Sequence, residues 1–238
     1  MSDLLDLMAE LRQDTERRSL VQNQGASEVG ALWQEPSGPG FGGLAEDGLR
    51  PTLLRRRANR FFKDQPVDAE LLRRMIEAGQ EADAALWPTE RAARPLEFLV
   101  AARAVTGLRP AVHRYGPDGF EPLADIAGAE QLSALVLQPE FALAPAILLA
   151  TGSLEDALEA AGSHGHRRLL ERSGAACEAA WLTAVDADLS GSIFAGFLPS
   201  ALKRLVGIDG FRRTQLLALA VGHAVDASGE YSGGSANG

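Results

Sequence analysis

The chain has 238 residues, 46% of them apolar, with a formal charge of −9 and a single cysteine. That length supplies one large core, or one core with an extension. The acidic balance excludes a general binder of nucleic acid or anionic membrane, and one thiol excludes an internal disulfide or a multi-thiolate metal site. No apolar run is long enough to span a bilayer. The opening MSDLLDLMAELRQDTERRS lacks the basic-then-apolar order of a signal peptide. A cytoplasmic protein with neither nucleic acid nor membrane as partner is expected.

Leu4, Leu5, Met8 and Leu11 recur at helical spacing, which predicts an amphipathic helix over 3–18, within an N-terminal unit of residues 1–20. Residues 21–49 carry Gly, Ser and Glu without a sustained period and predict a linker or draped arm. Inside it, Gly38 to Gly43 (GPGFGG) has the form G-x-G-x-x-G. The flanks WQEPS and LAEDG replace the strand and helix that a dinucleotide loop needs, so this too reads as linker.

From residue 50 the pattern becomes dense, and one domain is expected over 50–225. Asp68 caps a predicted helix over about 69–84, whose stripe is Leu71, Leu72, Met75 and Ile76. EFLVAARAV (97–105) predicts a strand. AVHRYGPDGFEPL predicts a hairpin, with Pro117 and Gly119 at the second and fourth turn positions. LSALVLQ (132–138) suggests a helix, APAILLATG a buried strand, and His166 to Val185 a long helix with Trp181 on its apolar side. GSIFAGF, PSALKRLVGI and TQLLALAVGHA then predict a strand, a helix and a last strand. The polar, glycine-rich residues 226–238 predict a disordered tail. Strands and helices alternate without βαβ regularity, which favours an α+β layer fold.

The stretch LLRRRANRFFKDQPV (53–67) gathers five arginines or lysines around Phe61 and Phe62. Arg56 and Arg60 are four apart, so a helical turn would aim both the same way. Two readings stand: the arginines form a solvated face paired with carboxylates such as Asp64 and Glu70, or they hold an anion through charge-assisted hydrogen bonds.

The order R-R-R-A-N-R-F-F-K-D-Q-P-V before a D-x-E-L-L helix resembles the opening of the FMN-dependent nitroreductase superfamily, Arg-Arg-Ser-x-Arg-x-Phe. Arg56, Arg57, Ala58, Arg60 and Phe62 fall on its positions. Pro88, Pro95, Leu96, Glu97, Gly107, Leu108, Pro110 and Tyr115 stand in an order similar to that of the azoline-dehydrogenase (SagB-type) branch. The resemblance runs over about residues 50–224. It implies a nitroreductase-like α+β fold, with a mixed or antiparallel sheet flanked by helices, acting as a dimer. It further implies FMN, held by Arg56, Arg57 and Arg60, with Thr89 and Arg91 beside the cofactor and the backbone of Ala195 and Gly196 approaching the flavin ring. The implied reaction is oxidation of thiazoline or oxazoline rings to azoles in a ribosomally made peptide. Implied partners are that peptide, a second copy or a paralogue, and a cyclodehydratase.

The sequence departs from that pattern at several places, among them the long helix, which shows Gly174 and Cys177-Glu178 where the branch has His and Gln-Asn. The branch's Ser-x-Gly is here Thr89-Glu90-Arg91. Its Lys-Tyr pair before the long helix is replaced near Ala160-Ala161, and a basic residue after Val221 is missing. His164 and His166 are the candidate replacement bases, since imidazole titrates near neutrality. With Glu159 they lack a metal-ligand spacing, so no metal is expected. His113 and His223 fall on predicted strands, and Cys177 sits in an apolar helix as a packing residue. Two other functions stay open: a non-catalytic partner subunit of a peptide-modifying complex, and a general NAD(P)H-dependent FMN oxidoreductase.

Overall fold

The computed structural model describes residues 49–225. The expected N-terminal helix, residues 21–48 of the arm with its glycine motif, and the tail from residue 226 lie outside the described residues. The elements are α1 (Leu49–Arg55), β1 (Val67–Asp68), α2 (Ala69–Leu86), α3 (Pro88–Ala93), β2 (Glu97–Ala102), β3 (Val105–Thr106), β4 (Ala111–Gly116) and β5 (Gly119–Asp125). There follow α4 (Ala129–Ser133), a 3-10 turn (Pro139–Leu143), β6 (Ala146–Gly152), α5 (Leu154–Ala161), α6 (His164–Asp186), β7 (Ser190–Phe194), α7 (Pro199–Val206) and β8 (Thr214–Gly222).

Six strands form one antiparallel sheet in the order β5-β4-β2-β6-β8-β7, while β1 and β3 pair in parallel. The central strands are apolar on both faces, and their alternation sorts two cores. Phe98, Val100, Leu148, Ala150, Leu219 and Val221 face α2 and α6. Leu99, Ala101, Ile147, Leu149, Ala218 and Ala220 face the layer of α4, the 3-10 turn and α7. This is the α+β layer arrangement expected from the sequence. None of the helices among the described residues is long and apolar enough to cross a membrane.

Local chemistry explains most boundaries. The Asp68 side chain accepts from the Glu70 N–H at 2.7 Å and starts α2. In the hairpin Tyr115 faces Phe120 and Gly116 faces Gly119, so only Pro117 and Asp118 form the loop. Gly119 takes φ 95°, open to glycine without strain. One expectation fails: the helix predicted over 132–138 ends at Ser133. Beyond it the backbone pairs with the chain after β7, through a Val136–Phe197 bridge and a Leu198 N–H to Leu135 C=O bond of 2.8 Å. Apolar spacing alone did not distinguish a helix from a half-buried extended segment. Three short helices, α1, α3 and α5, were not anticipated.

The crossing of α2 and α6 is close because Gly79 has no side chain. A Cβ there would meet the Ala176 carbonyl oxygen at 2.8 Å. Cys177, next to that crossing, is buried, and burial followed by the Glu178 charge pushes its thiol up to about 12. Because the thiolate is the nucleophile, native protein at pH 8 is expected to resist iodoacetamide, while protein in denaturant is fully alkylated. Mass spectrometry reads both, and rapid native labelling would refute the packing role.

Candidate functional site

The expected site residues fall in three places. First, residues 56–60 are extended, not helical. Ala58 bridges Gly191 in parallel and the Asn59 N–H donates to the Gly191 carbonyl at 2.9 Å, so this segment lies along β7. Positions four apart share a side in an extended chain as in a helix. Their spacing, however, is about 13 Å at the strand rise instead of about 6 Å. Arg56 and Arg60 therefore do not form the single-turn grip expected of them.

Each of the two meets its own carboxylate. Arg56 Nε lies 3.1 Å from Glu178 on α6, with its guanidinium 4.6 Å over the Trp181 ring. Arg60 Nη1 lies 3.7 Å from Glu140, beside the Phe141 that packs on the opposite sheet face. Neighbouring Arg55 pairs with Asp188 at 3.1 Å. Among the described residues Arg57 is exposed and has no carboxylate partner. The solvated-face reading thus holds in part, with partners other than Asp64 and Glu70. Asp64 pairs with Arg103, and Glu70 with Arg73.

Second, Ala195 and Gly196 turn the chain after β7. The Gly196 carbonyl accepts from the Leu137 N–H at 2.7 Å, and a Cβ at Gly196 would meet the Leu137 side chain at 3.3 Å. Leu137 occupies the near side of this glycine and is itself largely exposed.

Third, a cleft of about 410 Å³ opens between α3, α5 and the start of α6. Thr89 and Glu90 of α3 and Arg94 at its end form one wall, while Ala160, Ala161 and Gly165 stand opposite. Thr89 is the one expected cofactor residue that reaches it. Arg91 is half-buried on α3, with its backbone N–H on the Trp87 carbonyl. His164 and His166 are exposed on the first turn of α6. At about 100° per residue each is rotated well away from Gly165, the residue between them that lines the cleft. Neither imidazole is brought to it. The carboxylate on the cleft wall is Glu90, with Oε1 3.6 Å from Arg168 Nη1.

The floor holds a buried ion pair that the sequence reading missed. Arg172 donates through Nε and Nη2 to both oxygens of Asp83, each at 2.7 Å, and through Nη2 to the Arg94 carbonyl at 2.9 Å. Both side chains are at most 2% exposed. The available signal was a charge lying on each apolar stripe. Asp83 is four residues after Gly79, and Arg172 lies three after Leu169 and four before Ala176, with opposite signs on the two longest helices among the described residues. Outside the cleft, the Tyr115 hydroxyl donates to Glu77 at 2.9 Å. Burial, and then that bond, raises its pKa, a structural tie between hairpin and α2.

Residues 53–223 match the nitroreductase family. A nitroreductase-type protein of Anabaena variabilis is 18% identical and superposes over 74% of this chain with a TM-score of 0.62, but the chain spans only 38% of that protein. One from Ralstonia eutropha, also 18% identical, superposes over 81% of this chain and 86% of its own, TM-score 0.52. An oxidoreductase described as containing FMN is 14% identical over 79% of this chain and 83% of its own, TM-score 0.52. A search of curated proteins finds no match. At these identities the superpositions establish the fold, and the match over 53–223, most of the chain, establishes the family: this protein belongs to the nitroreductase family, a family of oxidoreductases.

Proposed function

We propose that the chain is an FMN-dependent dehydrogenase of the azoline-oxidising type, converting thiazoline or oxazoline rings in a peptide to azoles. One observation carries this reading. Thr89 and the Ala160-Ala161 pair are about seventy residues apart in sequence, and the resemblance assigned them separately to the cofactor and to the base. They line one cleft.

The residues along β7 fit a flavin phosphate in their donor chemistry. Arg57 has no carboxylate partner among the described residues, and Arg60 holds Glu140 only at 3.7 Å, beyond hydrogen-bond range. An exposed pair of this kind is worth little and yields readily to a dianion. Arg56 fits less well, being already held by Glu178 and Trp181. Arg57 would therefore hold the phosphate, with Arg56 fixing the segment to α6, while Arg60, three residues on in an extended chain, faces the other side. A bound flavin supplies the two-electron acceptor for the hydride that ring oxidation releases. The same oxidation releases a proton, and Glu90 is the cleft-lining carboxylate able to take it. Thr89 can donate a hydroxyl beside it, and the alanines opposite leave room for a ring. A homodimer or a heterodimer with a paralogue, and a cyclodehydratase that forms the ring, are the partners this role requires.

The test is the absorbance spectrum of the full-length chain after FMN addition and desalting. Retained flavin is expected. Arg57→Ala should weaken retention at least about tenfold, the scale of a charge-assisted hydrogen bond. Oxygen-dependent oxidation of a thiazoline peptide, lost in Glu90→Gln, would complete the case. Nicotinamide oxidation without peptide turnover would instead identify a general oxidoreductase. A second reading, a partner subunit without its own turnover, is favoured by the engaged Arg56 and by alanines standing where the branch has Lys-Tyr. A chain that never holds flavin would support it and sink the first.

A further inference from the structure

Some arginines elsewhere among the described residues are engaged at hydrogen-bond distance, and others, such as Arg60, are not. Arg213 meets Glu97 at 2.5 Å, Arg103 meets Asp64 at 3.0 Å, and Arg114 meets Glu121 at 2.5 Å. The cleft between α3, α5 and α6 brings two of the loosely held kind onto one concave surface. Arg168 has Glu90 at 3.6 Å and Glu171 at 3.9 Å, both beyond the 2.7–2.9 Å of a charged N–H···O bond. Half-buried Arg94 has no side-chain partner among the described residues. Two guanidiniums thus line one concave site with donors to spare.

The floor explains how this arrangement persists. Arg172 is neutralised by Asp83 and is no candidate for a ligand. Its Nη2, however, holds the Arg94 carbonyl at 2.9 Å and so fixes the residue whose side chain borders the cleft. Charge then narrows the ligand. Arg94 and Arg168 contribute two positive charges, Glu90 and the Glu171 beside Arg168 subtract two, and the Arg172–Asp83 pair sums to zero. A site without net charge admits a monoanion at less cost than a dianion. A phosphate dianion would leave an excess negative charge beside Glu90 in a half-buried site. A planar carboxylate also matches the guanidinium fork. The rest of the wall, Ala157, Ala160, Ala161 and Leu169, is apolar and suits a small ring or aliphatic body.

We propose that this cleft binds a monocarboxylate, with Arg94 and Arg168 as the carboxylate ligands and the alanine wall of α5 accommodating the body that carries it. Its role as a substrate determinant rests on the dehydrogenase reading above; the binding itself does not. Within that reading, the preferred azoline carries a free carboxylate, on the ring or on an adjacent acidic residue.

The experiment uses the full-length chain with 2-phenylthiazole-4-carboxylate, an already oxidised probe that cannot turn over, and its N-methylamide. Both are titrated by calorimetry with and without FMN. The acid is expected to bind at least about tenfold more tightly than the amide, and Arg94→Ala or Arg168→Ala to erase most of that preference while leaving amide affinity unchanged. Both arginines border solvent, so these variants should fold, and far-ultraviolet circular dichroism checks it. Displacement of the acid by Ac-Gly-Glu-Gly-amide, and not by its Gln counterpart, would identify a peptide side chain as the source of the carboxylate. Displacement by neither would identify a small acid. Equal affinity for acid and amide, no binding of either, or a preference that survives both substitutions would overturn the proposal. Acid preference in a chain that holds no flavin leaves this site standing and removes the redox reading. Flavin retention without acid preference does the reverse.

Discussion

Replacing Asp83 by alanine is expected to remove about 3–5 kcal/mol of folding stability, a large share of a domain's total. The cost arises from what remains, because Arg172 would keep its charge at 2% exposure with both carboxylate bonds gone. Its remaining bond, to the Arg94 carbonyl at 2.9 Å, offsets little of that desolvation. The pair itself is a different quantity. Removing both charges with apolar residues of similar volume, as in Asp83→Leu/Arg172→Met, should recover most of the loss. The residue not recovered is about 1 kcal/mol for the unpaired Arg94 carbonyl, which water in the cleft can partly satisfy. Guanidinium unfolding of the three proteins tests this. A loss below 1 kcal/mol in Asp83→Ala would mean that water or a moved side chain compensates Arg172. A double variant as unstable as the single would mean the pair is intrinsically stabilising. In either case Arg94 should loosen, so the ion pair links packing of α2 on α6 to the shape of the cleft.

How much of this was legible in the sequence depends on the range of the cause. The Asp68 cap, the hairpin turn and the apolar runs of β2, β6 and β8 are set by residues close in sequence, and they were read correctly. So was the long helix, whose length carries its own signal. The segment from Leu132 to Gln138 was misread because its leucines satisfy a helical stripe, while its backbone partner, the chain after β7, lies some sixty residues on. The arginine segment shows a subtler case. Positions 56 and 60 share a side under either backbone period, so the inference of a common face survived a wrong secondary structure. The inference of a common ligand did not, because the rise per residue differs about twofold. Glu140 and Glu178, which hold the two arginines, come from distant elements that no local pattern points to. The cleft was invisible for the same reason. Glu90 reads from sequence as a charge beside the cofactor, and only the packing of α5 on α6 makes it the carboxylate of a cavity.

That packing turns on one atom, and the second large effect is expected there. Gly165 lies on α6 with its back to α5. A Cβ would stand 2.1 Å from the Ala157 carbonyl oxygen and 2.8 Å from the Leu158 nitrogen. Both are backbone atoms, which cannot rotate aside, so Gly165→Ala requires α5 to move by more than 1 Å, roughly the gap to ordinary contact. On propensity alone the change would stabilise a helix by about 1 kcal/mol. Here the steric cost should win, with a net loss of about 2 kcal/mol or more. Gly174, nine residues further along the same helix, provides the control. Its added Cβ would find only a Leu217 methyl at 4.0 Å, so Gly174→Ala should gain up to about 1 kcal/mol. The two substitutions are chemically identical and are expected to have opposite signs. Denaturant unfolding measures both. Because α5 has only eight residues and only Ala157 buried, part of the Gly165→Ala cost should appear as faster amide exchange in α5, ahead of global unfolding. Equal signs would show that α5 slides at no cost. The cleft would then owe its shape to something other than the fit of Gly165 against Ala157.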